Sequence, residues 1–296
     1  MINLMIELTN RCTLRCPTCF SHQDNRDKHN MTFKQFKKII DENIELIGSI
    51  SLYNYGEPFL NKHLLEMIFY AKKKGVAYIK VATNGMHLTK TKISQICKSK
   101  LDYLSISLDG ATEKTYMKFR VGGDFKKVLT NTQNLVKYRN LSMSKLKIEI
   151  QFIVMSHNEH EMELIEKLAK SLKVDYLRLK TVLIKKKQWN YFLPDKNEYN
   201  RYREKINNNR CFKPIEELVI NCDGSVIPCC YVVAKDIIKF KLGNIFEQSL
   251  DKILNSAKYK NFTGTCTTDK SKLSSCADCD EGNLSLDYNL IKFSSR

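Results

Sequence analysis

Hydrophobic residues follow two spacings that alternate along most of the chain. Short apolar runs, typical of buried strands, lie at residues 4–8, 50–53, 77–82, 101–108, 147–155 and 176–179. Between them, apolar residues recur every three or four positions, as on one face of a helix, at 32–47, 61–74, 89–98, 124–139 and 159–172. This alternation predicts repeated β-α units and a parallel sheet, and therefore an α/β fold.

The pattern changes after residue 183. Residues 184–210 are polar and read as a linker, with one possible helix at 195–206. Further on, two apolar runs at 218–221 and 226–228 flank Asp223-Gly224, which is a strong signal for a two-residue hairpin. An amphipathic helix is predicted at 250–261. We therefore expect a first domain over 1–183, a linker over 184–210 and a small second domain over 211–296.

Composition indicates an ordinary globular protein of the cytoplasm. Of its 296 residues, 43% are hydrophobic and 27% are charged. No apolar run approaches the roughly 20 residues that cross a bilayer, and the chain enters its first strand too early for a signal peptide. Eleven cysteines without a leader favour metal ligation in a reducing compartment over disulfides.

The formal net charge of +17 raises the question of a nucleic-acid partner. Most lysines, however, are scattered over the predicted helices. Only Lys185-Lys186-Lys187, followed by Trp189, combines a basic run with an aromatic residue. We therefore do not expect nucleic-acid binding.

Three cysteines lie directly after the first predicted strand, at Cys12, Cys16 and Cys19, with the spacing C-x3-C-x2-C. A structural zinc site wants four protein ligands, whereas a cube of iron and sulfide held by three thiolates leaves one iron open to chemistry. The triplet favours an iron-sulfur cluster. A zinc knuckle, or free thiols that pack as small hydrophobic groups, remain the alternatives.

Four further motifs follow these cysteines, each at the end of a predicted strand or just after one. They are Tyr55-Gly56-Glu57-Pro58, Thr83-Asn84-Gly85, Ser105-Ile106-Ser107-Leu108-Asp109-Gly110 and Arg120. Taken in this order with the cysteines, they resemble the radical S-adenosylmethionine (radical SAM) superfamily. The resemblance implies an open six-stranded (β/α)6 partial TIM barrel over the first domain, with its ligands at the carboxyl ends of the strands.

The resemblance also implies roles for single residues. Cys12, Cys16 and Cys19 are expected to hold a 4Fe–4S cluster whose fourth iron binds SAM, and reductive cleavage of SAM is expected to yield a 5′-deoxyadenosyl radical. Gly56 is expected to let the backbone approach SAM, and Glu57 to hold its amino group. Ser107 and Arg120 are expected at its carboxylate and ribose, with Asn84 in the same pocket.

The sequence departs from the family at one position. Thr18 stands before the third cysteine, where the family often has an aromatic residue that covers the adenine. Phe20, two positions later, is the substitute we expect.

The C-terminal cysteines resemble the SPASM/twitch extension of one branch of this superfamily. The resemblance assigns Cys211, Cys229, Cys276 and Cys279 to a second 4Fe–4S cluster, although four thiolates also satisfy zinc. Because there is only one C-x2-C pair, we expect the shorter twitch form, a β-hairpin plus a helix. Cys222, Cys230 and Cys266 are then spare.

The branch implies a dehydrogenase or an epimerase that acts on a small polyhydroxylated or sugar-derived substrate and takes electrons from a reductant such as flavodoxin or ferredoxin. An epimerase needs a hydrogen-atom donor, and Cys266 is our first choice because it lies in a predicted Gly/Thr-rich loop, 263–267, that can reach over the mouth of the barrel. Cys230 is the second choice. One alternative is a peptide- or protein-modifying maturase. Another is a non-catalytic iron-sulfur or nucleic-acid-binding protein.

Overall fold

A computed structural model describes residues 1–22, 26–202, 209–233, 236–277, 279 and 289–293. The strands are β1 Ile2–Ile6, β2 Ile47–Ser51, β3 Tyr78–Thr83, β4 Tyr103–Ser107, β5 Lys147–Val154, β6 Tyr176–Thr181, β7 Glu217–Ile220, β8 Ser225–Ile227, β9 Gly243–Asn244 and β10 Leu290–Lys292. The helices are α1 Phe33–Asn43, α2 Leu64–Lys73, α3 Lys90–Lys98, α4 Glu113–Phe119, α5 Phe125–Leu141, α6 Met162–Ser171, α7 Lys213–Glu216, α8 Asp236–Phe240, α9 Leu250–Asn255 and α10 Ala257–Asp269.

The chain forms two compact units. Unit 1 contains Met1–Arg11, Phe20–Ile79 and the described residues from 209 to 279, and unit 2 contains Cys12–Cys19, the residues from 80 to 202 and the residues from 289 to 293. The domain boundaries expected from the sequence stay a prediction.

In unit 1, β1 lies between two parallel neighbours, β2 and β7. Strand β7 turns back into β8, and β9 pairs with β8, both antiparallel. The hairpin predicted at Asp223-Gly224 is confirmed, and Gly224 has the positive φ of 82° that its turn requires. Leu4 and Ile6 on β1 are fully buried, which explains why this strand reads as an apolar run.

In unit 2, the strands from Lys80 onwards form a parallel set in the order β3, β4, β5, β6. Ser105 lies opposite Glu149, and Ser107 lies opposite Gln151. Strand β10 adds an antiparallel edge to β6, which the sequence pattern did not predict. Strands β1 to β6 alternate with helices as expected, and every described pairing among them is parallel. The predicted α/β fold class is therefore confirmed.

Helix α1 shows how tertiary pairing overrides a helical pattern. It begins at the predicted N-cap, Thr32, where Gln35 completes a capping box. The apolar spacing predicted a helix to Ile47. Helix α1 ends at Asn43, and a 3-10 turn continues it over Ile44–Leu46, so the helical conformation ends one residue before the predicted limit. Ile47 instead begins β2 and pairs with Ile2 of β1. Asn43 is buried and accepts a hydrogen bond from the N–H of Leu250, so its side chain is used outside the helix.

The expected loop around Cys266 is wrong. The predicted helix at 250–261 breaks at Ser256, whose extended backbone and side chain cap a new helix, α10, that runs to Asp269. Threonine hydroxyls inside α10 donate to carbonyls one turn back, Thr263 to Tyr259 (2.9 Å) and Thr267 to Thr263 (3.0 Å). These bonds satisfy polar side chains that ordinarily favour turns. Cys266 therefore lies buried in a helix, and its loop placement no longer supports a donor role.

Two more expectations bear on the overall organisation. The possible helix at 195–206 is wrong over its described part, where only a short 3-10 turn, Asn197–Tyr199, forms, and residues 203–208 lie outside the described residues. Among the described residues, no helix has both the length and the apolar composition needed to cross a membrane.

Candidate active site

The three N-terminal cysteines lie on the loop after β1, within unit 2. The N–H of Arg15 donates to the carbonyl of Val121 (2.8 Å), and the N–H of Cys19 donates to the carbonyl of Cys16 (3.1 Å). Cys16 is buried, whereas Cys12 and Cys19 are half-buried. The loop is thus folded on itself and fixed to the segment that follows α4.

The sulfur atoms of this loop interact electrostatically. Burial is the main cause that raises the pKa of the Cys16 thiol, to about 11. Arg120 opposes this shift, whereas Cys19 and Cys12 add to it. The three thiols of the loop therefore share one electrostatic environment.

Two side chains place N–H groups at these sulfurs. The guanidinium Nη1 of Arg120 lies 3.7 Å from the Sγ of Cys16, and the amide Nδ2 of Asn84 lies 4.0 Å from the Sγ of Cys12. Hydrogen bonds to thiolate sulfur stabilise its negative charge and tune the potential of an iron-sulfur cluster. Both residues were predicted to contact SAM, and the structure brings them to the cluster ligands themselves.

Arg120 is held in place by an acidic residue, Asp109, for which the sequence predicted no role. Its Nε donates to the Oδ2 of Asp109 (2.5 Å), and both side chains are almost fully buried. Burial alone lowers the pKa of Arg120, but Asp109 and Cys16 hold it above its usual value. The other carboxylate oxygen of Asp109 accepts the N–H of Ile153 (2.8 Å), at the end of β5. A buried cation at the cluster loop therefore has a fixed counter-ion.

Ser107 is the last residue of β4, two positions before Asp109. It is nearly buried, and within the described part of the chain its hydroxyl makes no hydrogen bond. The signal for Asp109 was already in the motif, because alternation along an extended segment points residues 107 and 109 to the same face.

Gly56 and Glu57 belong to unit 1 and surround the segment that leads into the cysteine loop. Gly56 has a φ of 92°, and a Cβ there would lie 2.1 Å from the carbonyl oxygen of Thr9. The N–H of Glu57 donates to the carbonyl of Arg11 (2.7 Å). The close approach that Gly56 permits is thus to the backbone just before Cys12. One carboxylate oxygen of Glu57 accepts the N–H of Phe59 (3.0 Å) and caps a 3-10 turn.

A buried ion pair in unit 1 was missed by sequence reasoning. Glu7 is completely buried. Its Oε2 accepts a hydrogen bond from Nη2 of Arg26 (3.1 Å), and its Oε1 forms an ion pair with Nη1 at 3.0 Å. They also accept the N–H groups of Tyr55 (3.3 Å) and Cys222 (3.4 Å). Burial raises the pKa of Glu7, while Arg26 opposes the shift. Burial, with Glu7 adding to it, raises the pKa of the spare thiol Cys222, so this thiol stays protonated.

The four C-terminal cysteines assigned to a second cluster interact with one another in unit 1. Burial raises the pKa of Cys229 well above its ordinary value, and Cys279 and Cys276 raise it further. The pKa of Cys211 is also raised, chiefly by burial, with Cys279 and Cys276 contributing. Cys230 adds to the shift of Cys229 as well, so this fifth thiol lies nearby.

Two sequence features take positions that limit their roles. Phe20, the expected adenine cover, is buried and packs edge-on against Tyr55 with ring centroids 6.0 Å apart. Trp189, beside the basic run, is also buried, with the ammonium of Lys186 5.3 Å from its ring centroid. Its ring is covered and does not present an open face for stacking on a base.

The donor set of the cysteine loop has the chemistry of an iron-sulfur site. Among the described residues, no three His, Cys, Asp or Glu side chains converge on a position for a single metal ion. What the loop at Cys12 offers is three interacting thiols with N–H donors at two of the sulfurs, a set suited to a charged sulfur-ligated cluster.

Comparison with protein families gives two matches in chain order. The model of the radical SAM superfamily matches residues 6–168, more than half of the chain. The model of an iron-sulfur cluster-binding domain, SPASM, matches residues 211–280. The two ranges contain the cysteine loop and the four C-terminal cysteines, respectively.

Three relatives illustrate the range of similar proteins. A tungsten-containing aldehyde ferredoxin oxidoreductase cofactor-modifying protein of Pyrococcus furiosus is 26% identical, over 93% of this chain and 86% of its own. BtrN, solved in complex with AdoMet and 2-DOIA, is 17% identical with a TM-score of 0.61, covering 94% of this chain and 93% of its own. SuiB of Streptococcus suis bound to S-adenosylmethionine is 16% identical with a TM-score of 0.72, covering 97% of this chain and 73% of its own.

Proposed function

Because the chain belongs to the radical SAM superfamily and carries a SPASM iron-sulfur domain, we propose that it abstracts a hydrogen atom from a small, polyhydroxylated or sugar-derived substrate. Its cofactors are 4Fe–4S clusters and SAM. When bound, these supply the electron and the 5′-deoxyadenosyl radical on which the reaction depends. The proposal concerns what this chain's own residues do around them.

One observation carries the assignment of the site: Arg120 and Asn84 direct N–H groups at the sulfurs of Cys16 and Cys12. We assign Cys12, Cys16 and Cys19 to the first cluster, and Cys211, Cys229, Cys276 and Cys279 to the second. Asp109 fixes Arg120, so the guanidinium has little freedom to turn away. We assign Gly56, Glu57 and Ser107 to the binding of SAM. The hydroxyl of Ser107 can both donate and accept a hydrogen bond there.

Polar side chains on one face of the sheet in unit 2 favour a polar substrate. Ser105, on the same face of β4 as Ser107, donates to Glu149 (2.7 Å), and Tyr103 donates to its other oxygen (2.6 Å). Arg178 on β6 donates to Glu149 at 2.5 Å. Side chains on this face are thus hydrogen-bonding and charged, whereas the opposite face, with Leu104 and Ile106, is fully buried and apolar. Ser105, Tyr103 and Glu149 are themselves buried and bonded to one another, and they give this face of the sheet a polar character that suits a substrate with many hydroxyls.

Gln151 extends this polar face toward Ser107. The two residues are opposite each other in the β4–β5 register, and Gln151 is half-buried. We assign it to the substrate, because an amide offers both a donor and an acceptor to hydroxyl groups.

Two relatives are described with small molecules and are compatible with this substrate class. The Pyrococcus furiosus relative is described as cofactor-modifying, and BtrN is solved with 2-DOIA. The second candidate function is peptide modification, since SuiB is also solved bound to the precursor peptide SuiA, with a TM-score of 0.68 to this chain. A short precursor-peptide gene next to the gene for this chain would favour that second function.

The proposal is tested first by SAM cleavage. The chain, reconstituted anaerobically with iron and sulfide, is expected to form 5′-deoxyadenosine from SAM when dithionite is added, and also with a reduced flavodoxin or ferredoxin. Cys16→Ala is expected to abolish product, whereas Cys97→Ala, at a half-buried cysteine of α3, is expected to retain it. Equal activity in the two variants would refute the assignment of the cysteine loop.

The type of reaction is tested in deuterated water. An epimerase is expected to place one deuterium on the product carbon, and a dehydrogenase to give a product oxidised by two electrons with no deuterium. We propose that the chain catalyses one of these two reactions, epimerisation or two-electron oxidation. Transfer of the label to a peptide side chain would instead support the second candidate function.

A further inference from the structure

Unit 2 has a large pocket at the edge of its sheet where β5 and β6 begin. Its volume is about 990 Å³. Its walls come from the ends of α5 and α6, the starts of β5 and β6, and the segment after β10. The cations that line this basic pocket are Arg139, Lys145, Lys147, Lys170, Lys173 and Lys292.

Among the described residues, Asp175 is the one acid in the lining, and it is already neutralised. Asp175 forms ion pairs with Arg139 and with Lys147, the latter at 3.2 Å. It also accepts the backbone N–H of Ile148 (2.9 Å). Asp175 is only 9% exposed, so it is committed to these three partners and has no remaining role in balancing the other lysines.

Three of the six cations in the lining have no ion-pair partner among the described residues. Lys170 forms an ion pair with Glu166 (2.6 Å). Within the described ranges, no ion pair involves Lys145, Lys173 or Lys292. The pocket therefore keeps a concentrated positive charge, carried by three exposed lysines around a concave space that focuses their field.

The walls of the pocket are fixed by backbone hydrogen bonds. The N–H of Lys173 donates to the carbonyl of Lys170 (3.0 Å), and its φ of 55° turns the chain out of α6. The N–H of Phe293 donates to the carbonyl of Asp175 (3.0 Å), which holds the end of β10 against β6. The backbone that carries these cations is therefore held by hydrogen bonds.

Helix stabilisation does not account for all of this charge. Cations in the last turn of a helix offset the negative end of its dipole, and this explains Arg139 and Lys170. Lys145 lies in the loop before β5, and Lys292 lies on a strand. Their positions serve no helix end, yet they face the same pocket.

We propose that the basic pocket binds an oligophosphate, either free or as the phosphate chain of a nucleotide. Its volume is in the range of small-molecule sites, and lysine ammonium groups are common partners of phosphate oxygens. A chain of several phosphates spans several of the lysines at once, whereas a single carboxylate reaches only one or two. The pocket is concave and local, which suits a small ligand better than a nucleic-acid duplex.

The pocket lies at the opposite edge of the sheet from the cysteine loop. Strand β5 runs from Lys147 at the pocket to Val154, seven positions or about 23 Å away, and Asn84 after the end of β3 contacts Cys12. An oligophosphate here does not touch the cluster site. The inference therefore stands or fails independently of the proposed function.

Calorimetric titration of inorganic tripolyphosphate into the reconstituted full-length chain tests the proposal, and a second titration uses ATP with saturating SAM present. The pocket variant is Lys145→Gln with Lys173→Gln, and the control is Lys126→Gln with Lys127→Gln, the same charge change at the other end of α5. We expect saturable binding that the pocket variant weakens by about tenfold and the control leaves unchanged. Tighter binding of ATP than of tripolyphosphate assigns the site to a nucleotide, and equal binding assigns it to the free oligophosphate.

Three outcomes would overturn the inference. They are no saturable binding, equal weakening in the pocket variant and the control, and displacement of tripolyphosphate by duplex RNA at equal phosphate concentration. The control carries the same clusters, so any heat from iron chelation appears equally in both variants. Equal thermal melting of the two variants excludes loss of fold as the cause of weaker binding.

Discussion

Gly56 and Gly75 share a left-handed backbone and differ in what surrounds them. Their φ angles are 92° and 100°. A Cβ on Gly56 would lie 2.1 Å from the carbonyl oxygen of Thr9, whereas a Cβ on Gly75 would meet nothing within 4 Å. The first glycine is required by packing as well as by its turn, and the second by its turn alone.

We therefore predict unequal costs for the same substitution. Gly75→Ala should lower the free energy of unfolding by about 1–2 kcal/mol, the cost of left-handed backbone strain. Gly56→Ala should lower it by more than about 4 kcal/mol, because backbone must move. Urea denaturation of the apo-protein measures both. Equal costs would show that the backbone at Thr9 can move away from a Cβ at position 56 without loss of stability.

The Asp109–Arg120 pair leads to a second prediction at this scale. Asp109→Asn keeps the shape of the side chain but leaves a buried guanidinium without its counter-ion, which should destabilise the fold by about 3 kcal/mol. Iron content should be retained, since Asp109 is not a ligand, while SAM affinity should fall about tenfold as Arg120 loses its orientation. Equilibrium dialysis of SAM measures the affinity. An unchanged affinity would contradict the positioning role of Asp109.

Among the secondary-structure elements, α10 replaces a predicted loop with a helix. Its threonines and Gly264 are poor helix formers, yet side-chain bonds to preceding carbonyls and packing around buried Phe262 and Cys266 form the helix. Local composition predicted a loop because it does not include these tertiary contacts.

Gly264→Ala tests this helix directly. A Cβ there meets nothing within 4 Å, so alanine should stabilise the fold by about 0.5–1 kcal/mol through lower backbone entropy in the unfolded state. Gly224→Ala, in the hairpin, should destabilise it, because a Cβ would lie 2.4 Å from the Oδ1 of Asn244. Thermal melting distinguishes the two. A loss of stability in Gly264→Ala would contradict the helix.

The sheet of unit 2 carries a prediction about pH. Burial raises the pKa of Glu149, but Lys80, Tyr103, Ser105 and Arg178 together outweigh it and hold the pKa below the ordinary value of 4.5. A lowered carboxyl pKa contributes stability above the unfolded-state value that is lost as pH falls through the folded-state value. Glu149→Gln should therefore cost about 2–3 kcal/mol at neutral pH, and less below about pH 4.5. Urea denaturation across pH measures the difference, and a constant cost would contradict it.

For the whole molecule, the two sets of cysteines predict the iron content. The reconstituted chain should hold about eight irons and eight sulfides, four of each per cluster. Changing Cys12, Cys16 and Cys19 together to alanine should leave about half of both, with the second cluster intact in unit 1. Iron and acid-labile sulfide analysis measures this. Full retention of iron in the triple variant would contradict the assignment of the loop.

The sequence by itself determined the fold class, the alternation of strands β1 to β6 with helices, and the resemblance to the radical SAM superfamily. These depend on local periodicity and on residues close in sequence, such as the Cys12–Cys19 triplet and the hairpin at Gly224. Such local signals are reliable because the residue pattern of a buried strand or an amphipathic helix does not depend on the element against which it packs.

Tertiary structure alone decided where the motifs point and which polar groups they meet. The end of α1 at Asn43, the buried pair of Glu7 and Arg26, the N–H donors at Cys12 and Cys16, and the basic pocket around Asp175 each join residues far apart in the chain. No local pattern encodes such contacts, because burial, strand pairing and the satisfaction of buried polar groups depend on what the rest of the chain places alongside.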